Sequence, residues 1–96
     1  MGNIEFAWDR RKARSNLAKH GVTFKEAQTV FLDENARLVE DPDHSEDEER
    51  FVLLGYSFEA RCLIVSHCYR DSASVIRLIS ARRATRQEEE MYWRLR

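Results

Sequence analysis

Apolar and polar positions alternate along this chain in short stretches that switch between the strand period and the helix period. Ile4, Phe6 and Trp8 alternate with Glu5 and Ala7, a short strand suited to a sheet edge. Asp9 offers an N-cap for a helix over 10–20, and Gly21 a stop for it. That helix has a thin apolar side, Ala13 and Leu17 with help from Ala18 and His20, which places it on the domain surface. Thr23 and Glu26 have capping-box spacing for a second helix over 24–32, with Phe24, Ala27, Val30 and Phe31 turned inward. Asp33-Glu34-Asn35 reads as a turn, and strand patterns follow over 36–40, 51–56, 62–69 and 74–82. Short connections at 57–60 and 70–73 make the last three strands an antiparallel meander. Thr85 and Glu88 cap a final helix whose acids come early and whose Arg94 and Arg96 come late, as the helix dipole favours. Met91, Tyr92 and Leu95 give that helix one apolar stripe. The pattern predicts an α+β fold ordered β-α-α-β-β-β-β-α: an antiparallel sheet of four to five strands, two N-terminal helices and one C-terminal helix.

Length and composition narrow this picture. A chain of 96 residues forms one domain, 1–96, with room for a real core. No apolar run approaches the roughly 20 residues of a membrane span, and the first residues lack the basic start and apolar stretch of a signal peptide. Phe6 stands where an acylation signal at Gly2 would need Ser or Thr. Cys62 and Cys68 share a strand face at a separation of about 20 Å, too far for a disulfide. Two reduced cysteines in a core strand agree with a cytoplasmic protein.

The net charge of −1 conceals an uneven distribution. From Glu40 to Glu49, both included, there are seven acids and no base, whereas Arg61, Arg70, Arg77, Arg82, Arg83 and Arg86 face only Asp71 between 60 and 86. Near-neutrality argues against wholesale duplex binding but leaves room for a local cationic site. The run Val75–Arg86 is β-like and loaded with arginine. Strand parity puts Arg77 and Arg83 on one face with Val75, Ile79 and Ala81, and Arg82 on the other with Ile76, Leu78 and Ser80. A planar, permanently charged fork of donors suits phosphate. Asp41, Asp43, His44 and Glu46 lack the calcium-loop spacing, and no thiolate or paired-histidine pattern suggests zinc, so no metal is expected.

Several stretches together carry a family resemblance: Phe6-Ala7-Trp8-Asp9, then Asn16 to Ala27 (NLAKHGVTFKEA), Asp41-Pro42-Asp43-His44-Ser45, Glu49-Arg50-Phe51, and Arg77 to Thr85 (RLISARRAT). In this order, over nearly the whole chain, they resemble the BrnT family of small ribonuclease toxins. The resemblance implies a RelE-like domain that cleaves RNA, inhibits translation, and is covered by a BrnA-like DNA-binding antitoxin. The helices here show no helix-turn-helix, so DNA reading falls to the partner. An acid-rich 40–49 loop would pair with the chain's own arginines or with a basic antitoxin surface.

A metal-free ribonuclease must activate the ribose 2′-hydroxyl, stabilise charge on a phosphorane-like transition state and protonate the leaving 5′-oxygen. Arg77 and Arg83 are the expected transition-state clamps, with His67 as a proton-transfer group on the neighbouring strand, two positions before Tyr69. Arg61, Arg70 and Arg82 are the expected RNA phosphate contacts. Register is open at this point, and Arg82 replaces Arg77 and Arg83 on the active face if the strand is turned over. The alternative function is a non-catalytic RNA-binding or antitoxin-binding protein of the same fold.

Overall fold

The computed structural model describes residues 4–40 and 49–94, the side chain of Glu40 excepted. It runs β1 (Glu5–Ala7), α1 (Arg10–His20), α2 (Phe24–Thr29), a 3₁₀ turn (Val30–Leu32), β2 (Arg37–Glu40), β3 (Phe51–Tyr56), β4 (Cys62–Arg70), β5 (Val75–Arg83) and α3 (Arg86–Arg94). The acidic stretch 41–48, and with it the expected loop pairing, lies outside the described residues, as do Leu95 and Arg96.

Local chemistry sets the helix ends. The Asp9 carboxylate accepts from the N–H of Arg11 at 2.7 Å and of Lys12 at 3.2 Å. Gly21, at φ 68°, closes α1 by donating to Leu17 O. Thr23 Oγ1 accepts from Glu26 N at 3.0 Å, but only half of the capping box forms, because the Glu26 carboxylate turns instead to Arg61 and Ser57. The second helix is shorter than the 24–32 expected, tightening into the 3₁₀ turn after Thr29. At α3 both halves form: Glu88 N donates to Thr85 Oγ1 at 3.1 Å, and Thr85 N to Glu88 Oε1 at 2.8 Å.

The sheet has five strands in the order β1-β5-β4-β3-β2. Strands β2 to β5 are antiparallel neighbours, whereas β1 pairs parallel to β5, Phe6 against Ile76. The sheet is thus mixed rather than wholly antiparallel. Hairpins dictate antiparallel pairing for β3, β4 and β5, but β1 joins a free edge from far away in sequence and no hairpin sets its direction.

One face packs against α1, α2 and the 3₁₀ turn, burying Leu53, Leu63, Val65, Ile76, Leu78 and Ala81 with Val22, Phe24, Ala27 and Val30. Each fully buried leucine here is worth roughly 1.5–3 kcal/mol of transfer free energy. The opposite face is covered at one end by α3, where Tyr92 packs on Leu54, Cys62 and Ile64. Asp33 Oδ2 ties that end together, accepting from Tyr56 N at 2.9 Å and Tyr92 OH at 2.8 Å. Cys62 and Cys68 are both buried free thiols, and burial pushes the Cys62 thiol up to about 11. Among the described residues no helix is long and apolar enough to cross a membrane.

The three-residue β1 covers β5 only from Val75 to Arg77. Beyond it, a side chain of α1 takes the place of a neighbouring strand. Asn16 Oδ1 accepts from Ala81 N at 2.9 Å, and its Nδ2 donates to Ala81 O at 2.8 Å and to Val22 O at 2.9 Å.

Candidate nucleic-acid interface

A β-bulge decides which arginines meet. Ser66 pairs with Ser80, but His67 pairs with Leu78, so Ile79 is an extra residue in β5. Parity counted without the bulge groups Arg77 with Arg83. With it, Arg77 and Arg82 share the face opposite α1 and α2, while Arg83 follows Ile76, Leu78 and Ala81 onto the helix-packed side.

The register lays out the open face in rows. One row holds Ala7, Arg77 and Cys68, and Arg50 joins it when the β3–β4 register is extended by one residue. The next holds Val39, Val52, Ser66 and Ser80, and the third Arg37, Leu54, Ile64 and Arg82, with its central Leu54 and Ile64 covered by Tyr92 of α3. Same-face rows lie about 7 Å apart, so arginines from the two outer rows bracket the serine row within the reach of their side chains.

These cations differ in what already holds them. Arg82 grips Glu88 through two bonds, Nη1 to Oε1 at 2.8 Å and Nη2 to Oε2 at 2.9 Å. That fork, with the Thr85 N–H, holds the Glu88 carboxyl down at about 2. Among the described residues, Arg37, Arg50 and Arg77 form no ion pair with a carboxylate. Arg50 Nε is buried with no hydrogen-bond partner among them. Asp9, at the start of α1, feels Arg77 as a minor contribution to a carboxyl lowered chiefly by the Lys12 and Arg11 N–H groups.

His67 is on the other side of the sheet, fully buried between the rings of Phe31 and Phe51 at centroid distances of 4.9 Å and 6.3 Å. Burial pushes its pKa down, favouring neutral imidazole. Nδ1 lies 3.1 Å from Val65 O, which can only accept, so Nδ1 carries the proton and Nε2 accepts from Tyr69 OH at 3.2 Å. The structure therefore does not bring His67 together with Arg77.

Two of three comparisons with known proteins relate this chain to others. The model of the family described as "Ribonuclease toxin, BrnT, of type II toxin-antitoxin system" matches residues 8–88. The chain belongs to the BrnT toxin family. A crystal structure of the Brucella abortus ribonuclease toxin BrnT superposes with a TM-score of 0.67 at 21% identity, over 88% of this chain and 100% of that one. A search of curated proteins gives no match. The small RelE-like α+β layout is thus shared with a BrnT toxin of distant sequence.

Within the BrnT fold, the other expected phosphate contacts are dispersed. Arg61 is spent on the helices, its guanidinium bonded to both Glu26 oxygens and, at 3.1 Å, to Gly21 O. Arg70 ends β4 beside the turn over 71–74. Arg83 is exposed on the helix-packed side and acts on Glu26 at a distance. Arg37 and Arg50 are cations of the open face that strand-by-strand reading overlooked. The available signal was the shared parity of Arg50, Val52 and Leu54, together with the place of Arg50 in the family stretch Glu49-Arg50-Phe51. Among the described residues no group of three or more His, Cys, Asp or Glu side chains is placed to hold a metal ion.

Proposed function

We propose that this chain is the toxin of a type II toxin–antitoxin pair and a metal-independent endoribonuclease whose working surface is the arginine face of the sheet. The observation that carries this reading is the bulge at Ile79, which gathers Arg77 and Arg82 with Arg37 and Arg50 around Ser66 and Ser80. Arg77 and Arg50, which share the row with Cys68, clamp the scissile phosphate. Their charge stabilises the extra negative charge as the ribose 2′-oxygen gives its proton to water and bonds to phosphorus, while the bond to the 5′-oxygen breaks and that oxygen takes a proton from water. The products are a 2′,3′-cyclic phosphate and a 5′-hydroxyl. Arg37 and Arg82 bind flanking phosphates, and Arg82 is held in place by Glu88. His67 keeps the sheet's other face packed rather than moving protons in the reaction. A BrnA-like antitoxin neutralises the toxin by covering this face.

The second reading is an RNA-binding or antitoxin-binding protein without chemistry, favoured by the burial of His67 on the opposite face. One experiment separates the two. The purified chain is incubated with RNA in excess chelator and the fragment ends are identified. Cleavage to cyclic-phosphate ends, lost in a folded Arg50→Ala/Arg77→Ala variant, is the expected result. Wild-type protein that binds RNA without cutting it establishes the second reading.

A further inference from the structure

Helix α1 turns an unusual stripe toward the sheet edge. Residues 12, 15, 16, 19 and 20 follow the i, i+3, i+4, i+7, i+8 spacing of one helix side, yet they are Lys12, Ser15, Asn16, Lys19 and His20 rather than apolar. This stripe and Ser80 line a groove of about 230 Å³ along the outer edge of β5. The groove lies where β1 has ended and the bulged Ile79 interrupts the ladder. Its floor is rigid, because the Asn16 amide is committed to Val22 O and to both backbone groups of Ala81. Among the described residues no acid lines it, and α1 contains none. Ser80 belongs to two places at once: it stands in the serine row of the arginine face and lines this groove.

We infer that the α1–β5 groove is a second RNA-backbone subsite, which receives the strand after it leaves the arginine face and crosses the sheet edge at Ser80. This inference rests on the ribonuclease reading and extends it to the path of the substrate. Lys12 and Lys19 supply the phosphate contacts as compact, rotatable donors. Their spacing, two helical turns or about 11 Å, lets them hold phosphates on either side of Asn16. An acidic protein segment would also be attracted here. RNA is the occupant favoured by the continuity of the groove with the arginine face through Ser80.

The test uses the whole chain and 2′-O-methyl RNA, which binds but cannot be cleaved. Affinities of a 12-mer and a 3-mer are measured against salt for wild type, Lys12→Gln/Lys19→Gln, and a Lys25→Gln control on α2. Each phosphate contact to a single strand contributes about 0.7 to the log–log salt slope. The double variant should flatten the 12-mer slope by about 1.4 and weaken 12-mer binding about 25-fold at 0.1 M salt. The 3-mer and the Lys25→Gln protein should behave as wild type. An unchanged 12-mer slope in the double variant, beside a wild type that cleaves RNA, overturns the groove and leaves the ribonuclease reading standing. Equal losses for both lengths put the lysines at the arginine face and also overturn it. So does poly-glutamate binding that needs both lysines while the RNA slope is unchanged. Wild-type protein that neither binds nor cleaves RNA overturns both readings.

Discussion

Replacing Asn16 with alanine should be among the most damaging single changes on α1, although the residue sits on a helix of predominantly basic, exposed side chains. The substitution deletes three hydrogen bonds, two to Ala81 and one to Val22. At about 1 kcal/mol net for each, that is about 3 kcal/mol. Ala81 is fully buried, so its N–H and C=O also lose their partners, adding a part of the 1–3 kcal/mol desolvation cost that water entering from the adjacent groove does not recover. The expected loss is about 3–5 kcal/mol, a large fraction of the 5–15 kcal/mol that holds a typical domain together. Urea unfolding measures it directly, and the thermal midpoint should fall by roughly 15–25 °C. Asn16→Asp should also destabilise, because it keeps the acceptor for Ala81 N and sets a second acceptor against two carbonyls. A loss below about 1 kcal/mol for Asn16→Ala would refute the idea that this side chain substitutes for a strand at the open edge.

Three further outcomes follow from buried or paired groups. Glu88 is held at about 2 by Arg82, below its ordinary 4.5, so its contribution to stability is complete above about pH 4.5 and disappears as pH falls toward 2. Unfolding midpoints followed across that window should decline less steeply in Glu88→Gln than in wild type; equal slopes would contradict the assignment. His67 is lowered from 6.5 by burial. Protons below pH 6.5 therefore load the unfolded chain first, and stability should fall from there toward the lowered value. That part of the pH dependence should be missing in His67→Gln, and its survival would show that another group carries it. A β-carbon on Gly55 would stand 2.9 Å from Ala36 Cβ and 3.0 Å from Val30 Cγ1. Gly55→Ala should cost about 1–3 kcal/mol in chemical denaturation, and a neutral result would mean that β3 and the start of β2 separate easily.

Where local chemistry sets structure, the sequence was legible. Asp9, Thr23 and Thr85 cap helices because their oxygens lie within two or three residues of the N–H groups they accept, and α1 ends at Gly21 as its left-handed φ requires. The β4 faces also followed from parity, since that strand has no extra residue: Leu63, Val65 and His67 lie opposite Cys62, Ser66 and Cys68. The β5 faces did not. A run of β-forming residues carries no mark of which one is left unpaired, and one bulge reverses every assignment across it. The fate of Glu26 was equally hidden, because its partner Arg61 lies 35 positions away. Arg82 was open to an acid from the 40–49 run, but found Glu88 six residues on, brought back by the turn into α3. The candidate site depends on such long-range register, so its residue types were visible before its membership was.

In the proposed ribonuclease, the bulge at Ile79 puts Arg77, and not Arg83, on the surface that cleaves RNA. Single-turnover cleavage by purified Arg77→Ala and Arg83→Ala proteins, each checked for wild-type unfolding, tests it most directly. Loss of a charge that stabilises the transition state should slow Arg77→Ala on the order of 10²- to 10³-fold, with Arg83→Ala within about threefold of wild type, as expected for a residue outside the transition-state site. A large loss in Arg83→Ala with Arg77→Ala near wild type would contradict the account.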